Sequence, residues 1–337
     1  MSSNRSLCSE QTYFSTADFL SLYSYLFSLL ALPINIFGIW LICYQTPIRM
    51  KHMKTVILNC HVWSLVSDLM LGLLTIPYVF FPVIAGTPLG VLTYLFDLNA
   101  FLQTYIAVAC VAEVGCSIVL LFENRQNQTV TSSWKISSES TRKVFVAVNL
   151  MVPWLVSSIV LMRIPDQDWA IKEVMKAIPC ASLEFFQLPV VVVTTETKSI
   201  GIALMALLLF YSIQVVAFIA HSSIYLCIST KSCAVSKRTK QLKQRYFEAV
   251  CIQVSVPLAI LAAPVDYCAF SIVSDTYNQT ANNICFLIMS VHGVFSTIAT
   301  IAIYENYRNS LIRIFRIKRT QNVMLIPSKS IVEATNI

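Results

Sequence analysis

"IVLLFENRQNQT", residues 118–129, carries a long apolar run to Phe122 and then sets Glu123, Asn124 and Arg125 in line. An oily segment that ends in a carboxylate and a guanidinium two residues apart is leaving one solvent for another. Composition says which solvents. Of the 337 residues, 56% are hydrophobic and 12% charged, against ~25% charged in a typical soluble domain. That is too little polar surface for a water-soluble globule, so the chain reads as an integral membrane protein.

Crossing ~30 Å of hydrocarbon takes ~20 mostly apolar residues in a helix. Seven stretches qualify: 19–43, 55–81, 92–122, 143–162, 199–228, 246–274 and 282–304. The third is longer than a crossing needs and is expected to tilt or project into water. Pro33, Pro77, Pro153, Pro257 and Pro264 fall inside these spans, where neighbouring helices can satisfy the freed carbonyls. The predicted fold class is an all-α membrane protein, a seven-transmembrane helix bundle between a tail over 1–18 and a tail over 305–337. "LPVVVV", 188–193, is β-branched and too short to span, so it reads as a strand or packed loop on the outer face.

Lys and Arg set the orientation. Five lie in segments 1–18, 82–91, 163–198 and 275–281, and nineteen in 44–54, 123–143, 229–245 and 305–337. The basic side is expected to face the cytoplasm, with the N-terminus extracellular and the C-terminus cytoplasmic. Glu123-Asn124-Arg125 then closes the cytoplasmic end of the third helix. The opening "MSSNRSLCSEQTYFSTAD" lacks the basic-then-apolar start of a cleavable signal peptide, so the first span is expected to do the targeting.

Seven helices with an acid and an arginine ending the third resemble the G-protein-coupled receptor plan. Several stretches narrow the resemblance to the nematode serpentine chemoreceptors of class H. They are "LPINIFGIW" in the first helix, "IPYVFFPVIAGTPLG" (76–90), "FENR", "RIPDQDWA" (163–170), "IPC" (178–180) and "HGVFSTIATIAIYENYR" (292–308). "ENYR" stands where that family tends to have Pro before Tyr-Arg. The resemblance implies a chemosensory receptor in the plasma membrane, in sensory cilia of neurons, with a small-molecule ligand and a heterotrimeric G protein as partners. It also implies that Glu123 restrains Arg125 at rest and that Arg125 meets the G protein on activation. The usual motif of the large rhodopsin-like class has acid and arginine adjacent; here Asn124 intervenes.

A charge inside a bilayer costs roughly 2.5–3.5 kcal/mol, so each one asks for a reason. Asp68 lies ~21 Å and His292 ~18 Å above the same basic edge at 1.5 Å per residue. Asn35 and Ser296 lie ~12 Å deep by the same measure. Asp68 and His292 are expected to pair across the second and seventh helices, in a cluster with Asn35 and Ser296 that acts as an activation switch; the plainer alternative is hydrogen bonding that only holds helices together. The ligand is expected in the outer half of the bundle. Asp97, Gln103, Asp266 and Tyr267 are its polar or aromatic candidates, Glu113 lies deeper, and Phe101, Tyr105 and Phe270 supply walls.

"KSCAVSKRTKQLKQR", 231–245, holds six cations and no acid. Lys237, Arg238, Lys240 and Lys243 are candidate G-protein contacts beside Arg125. "YRNSLIRIFRIKRT", 307–320, interleaves apolar and cationic residues as a helix lying on the lipid bilayer does. Cys8 and Cys180 lie on the oxidising outer side; Cys180 has Cys8 or Cys285 as a candidate disulfide partner, or stays a free thiol. Asn4, Asn278 and Asn127 each open a glycosylation pattern, and the last falls on the cytoplasmic side of this topology.

No cysteine or histidine spacing suits a metal. No paired acids or nucleophile motif organise catalysis, so neither an enzyme nor a cofactor is expected, and no nucleic-acid partner is implied. The rival readings are a secondary transporter, disfavoured by an odd span count without a repeat, and a ligand-gated channel.

Overall fold

The computed structural model describes residues 12–130, 135–158, 164–178, 182–231 and 237–324. In chain order the elements are α1 (Ala17–Gln45), α2 (Lys51–Leu69, continued by a π turn, Met70–Leu74), β1 (Pro77–Val79), β2 (Ile84–Pro88), α3 (Val91–Phe96), α4 (Ala100–Thr129) and α5 (Glu139–Ser157). Then come α6 (Gln167–Ala177), a single turn (Glu184–Gln187), β3 (Val191–Thr194), α7 (Thr197–Lys231), α8 (Lys237–Ser274), α9 (Gln279–Met289), α10 (His292–Ile303) and α11 (Glu305–Met324). Among the described residues five segments are long and apolar enough to cross a membrane, and α8, if its bent halves count as one, is a sixth. α5, whose 19 residues carry Glu139, Arg142 and Lys143 in the first two turns, is not among them.

Helix starts follow from local chemistry. Thr16, Asn99, Ser138, Asp166 and Asn278 each accept from a backbone N–H of the first turn of α1, α4, α5, α6 and α9, which satisfies donors that have no partner within the helix.

Three spans differ from the sequence expectation. The second helix ends at Leu74 rather than running to 81, because the chain turns at Ile76 and enters a strand at Pro77, which has no N–H to continue a helix. The third, expected as one long crossing from 92, divides into α3 and α4. Asp97 closes α3 in the left-handed region, φ 47°, and the Asn99 side chain starts α4 afresh. The seventh divides between α9 and α10 at Ser290 and Val291.

The segment 77–88 forms an antiparallel hairpin, and β3 adds to it in the order β1-β2-β3. Tyr78 faces Thr87, and Gly86 faces Val191. Gly86 permits this closeness: a Cβ there would meet the Tyr78 carbonyl oxygen at 2.5 Å. The stretch expected as strand or packed loop over 188–193 supplies the third strand, which runs from Val191 to Thr194.

The sheet, α6 and the turn at 184–187 form a cap over one end of the bundle, here called the sheet end. Its core holds Ile76, Tyr78, Phe80, Val174, Phe185 and Val192, all buried, with Phe80 edge-on to Phe185 at 5.1 Å between ring centres. The start of α9 clasps it. Gln279 Nε2 donates to Val79 O (3.1 Å), Asn282 Nδ2 to Phe81 O (3.1 Å), and Asn283 Nδ2 to Phe14 O and Thr16 O (3.0 and 3.1 Å). Tyr78 Oη donates to Ser15 O at 2.7 Å. At the opposite end Ile42, Met53, Leu121, Phe122, Tyr304 and Tyr307 share a second core, and α11 leaves from there.

Candidate functional site

The centre of the bundle holds a buried polar cluster. Asp68, on the last full turn of α2, is 3% exposed, and His292, the first residue of α10, is 0% exposed. His292 Nδ1 lies 2.8 Å from Asp68 Oδ1 and 2.8 Å from the Met289 carbonyl oxygen. Both neighbours accept, so Nδ1 carries a proton. Asp68 Oδ2 accepts from Asn35 Nδ2 at 3.0 Å and from the Gly293 N–H at 3.1 Å. Asn35 Oδ1 in turn accepts from Thr297 Oγ1 at 3.0 Å. The carboxylate thus links α1, α2 and α10, with its desolvation offset by three donors.

The helix break between α9 and α10 makes this geometry. It frees the Gly293 N–H, which would otherwise point along the helix to residue 289, to meet Asp68. Gly293 also makes room, since a Cβ there would lie 2.5 Å from Asp68 Oδ2. Ser296 is buried beside the cluster and borders a small cavity with Cys60, Ser64, Gln253 and His292; the space suits about one water molecule. Gln253 Nε2 donates to Thr300 Oγ1 at 2.9 Å, tying α8 to α10 across it. The expected pairing of Asp68 with His292 is present, and Asn35 joins it through Asp68. Thr297 bonds Asn35, and Ser296 borders the cavity beside the cluster. Thr297, Gly293 and Gln253 were not singled out, because depth alone does not say which side chains of a helix face the cluster.

A second polar group lies at the end away from the sheet. Here α4 does not stop at Phe122 but continues to Thr129, with Glu123, Asn124, Arg125 and Gln126 all buried. The Glu123 carboxylate is held by Arg142 of α5 through two parallel bonds of 2.9 Å, Nε to Oε1 and Nη2 to Oε2. Arg142 Nη2 also donates to Asn124 Oδ1 at 2.9 Å, and Asn124 Nδ2 donates to His52 O at 3.1 Å. This corrects the expected restraint of Arg125 by Glu123. Residues two apart on a helix face away from each other, so the inserted Asn124 turns Glu123 towards α5. Arg142 was legible only as one cation of the basic side.

The expected ligand residues do not form one group. Asp97 is exposed and caps α3. Asp266 and Phe270, one turn apart, share the outward face of α8, and Phe270 is 61% exposed. Span depth does not fix helical phase, and for Asp266 and Phe270 the phase points away from the bundle interior, while Asp97 sits at the break that ends α3. Phe101 is partly buried. Gln103 is spent on structure: its Nε2 donates to Thr93 Oγ1 (2.9 Å) and Leu98 O (2.7 Å). Tyr267 Oη reaches Asn278 O at 3.4 Å.

Tyr105 and Glu113 are brought together by a residue the sequence reading missed, Trp154 of α5. Its Nε1 donates to Glu113 Oε1 at 2.8 Å, and its ring meets those of Tyr105 and Trp63 at 5.9 and 6.5 Å between centres. A tryptophan N–H inside a membrane helix needs an acceptor, which was the available signal.

Lys237, Arg238, Lys240 and Lys243 fall on the opening turns of α8, and their side chains lie outside the described part. Cys8, Cys180 and Asn4 also lie outside the described residues. Cys285 is a buried free thiol. Asn278 caps α9, and Asn127 lies within α4. Among the described residues no cluster of His, Cys, Asp and Glu could hold a metal ion.

A sequence profile of the serpentine type 7TM GPCR chemoreceptor Srh matches residues 15–317. Serpentine receptor class H-72 of Caenorhabditis elegans is 28% identical over 298 residues, which cover 88% of this chain and 85% of that protein. Squid rhodopsin superposes with a TM-score of 0.60 at 11% identity, over 96% of this chain and 95% of the other. The bundle therefore has the rhodopsin seven-helix fold.

Proposed function

This chain belongs to the serpentine Srh family of 7TM GPCR chemoreceptors, and on that premise we propose that it binds a small molecule within its bundle and signals to a heterotrimeric G protein. In this reading the sheet end and the N-terminus are extracellular, the nineteen-cation side is cytoplasmic, and the receptor works in the plasma membrane of ciliated sensory neurons. The observation that carries it is the buried Asp68–His292 pair. It bonds three helices at the depth where a signal between the two ends has to pass. A buried ionisable group with several partners on different helices has more than one way to be satisfied, which is the property a two-state element needs.

Tyr105, Glu113 and Trp154 are the favoured ligand contacts, because an aromatic pair beside a carboxylate offers apolar walls and a polar anchor. At the other end Arg125, with Lys237, Arg238, Lys240 and Lys243, forms the G-protein surface. The Glu123–Arg142 fork holds the resting arrangement in the place first given to a Glu123–Arg125 contact. The test is the full-length receptor in lipid vesicles with a heterotrimeric G protein, screened against small volatile and modestly polar molecules. Nucleotide exchange that rises only with a ligand supports the reading. Solute uptake or ion current driven by those compounds, without exchange, overturns it.

A further inference from the structure

From Leu69 to Phe96 the chain contains no charged residue. Its last element, α3, buries none of its side chains. Tyr94, Leu95 and Phe96 are 70%, 74% and 69% exposed, although large apolar groups facing water would ordinarily fold back onto the protein. They are held out by construction. Asp97 ends the helix in the left-handed region. Gln103, fully buried, donates to Thr93 Oγ1 and Leu98 O. Leu92, a turn before Leu95 and Phe96, packs on the cluster of Met70, Ala107 and Cys110 and anchors the start of the helix. The exposed edge adjoins the start of α4, where Leu102 is also exposed at 37% and the membrane-crossing segment begins.

We propose that α3 is a membrane-interface helix that seats Tyr94, Leu95 and Phe96 at the boundary between lipid headgroups and acyl chains on the sheet side. The occupant is lipid because the edge runs into the surface of a membrane-crossing helix and because nothing charged accompanies it over 69–96. Tyr and Phe suit this level: the rings enter the acyl region and the Tyr hydroxyl stays among headgroups. The break at Asp97 serves this placement, laying the apolar head of the third span along the membrane instead of projecting it into water. Neither ligand binding nor G-protein coupling is needed for the argument.

Photocrosslinking tests it on the full chain in phosphatidylcholine vesicles. Phe96→p-benzoylphenylalanine and, separately, Leu95→p-benzoylphenylalanine place the probe at two positions, so a folding failure at one leaves the other. Leu29, 72% exposed on α1, is the lipid-facing reference, and Lys172 of the cap is the aqueous one. After irradiation the expected product at 95 and 96 is the intact chain heavier by one phospholipid, in the yield found at Leu29. A covalent dimer at either position identifies a second copy of the chain as the occupant and overturns the proposal. So does a yield no higher than that at Lys172.

Discussion

Arg142 grips Glu123 with two bonds of 2.9 Å and reaches Asn124 with a third contact of the same length. The carboxylate is 2% exposed and the guanidinium 34%, so the acid depends on the arginine far more than the reverse. Arg142→Ala leaves a buried carboxylate unpaired and is expected to cost ~1–3 kcal/mol of stability. Arg142→Lys keeps the charge but loses the fork and should cost less. Thermal melting of purified receptor in detergent checks both. If the fork holds the resting arrangement, both variants also raise nucleotide exchange without ligand, in the same order.

Asp68→Asn preserves the shape at the cluster while removing the charge that faces His292. Surface yield should stay near wild type, and the ligand concentration for half-maximal exchange should shift by about 5–150-fold, the usual range of a coupling free energy. A variant that reaches the surface and signals as wild type removes the switch role and leaves the cluster as a structural tie.

Two glycines in helices are expected to differ. At Gly293 a methyl group would lie 2.5 Å from Asp68 Oδ2, whereas at Gly201 the nearest outside atom is Ile272 Cγ2 at 3.7 Å. Gly293→Ala should destabilise by ~1–3 kcal/mol through overpacking. Gly201→Ala should be neutral or stabilise by up to ~1 kcal/mol through helix propensity. Paired melting curves decide it.

Asn283 joins α9 to the backbone of Phe14 and Thr16. Asn283→Ala leaves two carbonyl acceptors without this donor and is expected to cost ~1–3 kcal/mol. Limited proteolysis should then cut around residues 12–16 sooner than in wild type, while the bundle stays intact.

Burial holds the Tyr78 phenol above its ordinary ionisation range. A folded value raised above an unfolded ~10 means that its contribution is complete below about pH 10 and is lost as pH climbs through the folded value. Tyr78→Phe, which removes the bond to Ser15 O, should therefore lower stability by ~1 kcal/mol at neutral pH. The gap between wild type and variant should close only in strong alkali. Melting curves across alkaline pH measure that gap directly.

The sequence by itself determined that the chain is a seven-helix membrane protein of the class H serpentine type, and it placed Asp68 and His292 at matching depth. Both follow from terms that are local along the chain. Transfer into hydrocarbon is summed over some twenty consecutive residues, about one crossing, and depth is residue count times rise. Tertiary structure decided the rest, because it depends on which faces of distant segments meet. Helical phase sent Glu123 to Arg142 and turned Asp266 and Phe270 outward. The division of two predicted spans, at Asp97 and at Ser290, came from side chains that cap a break or accept the freed N–H across the bundle. Residues 188–193 read as strand or packed loop from sequence, and the hairpin of 77–88 decided between them by offering an edge to Val191–Thr194. A β-branched run cannot specify its own hydrogen-bond partner.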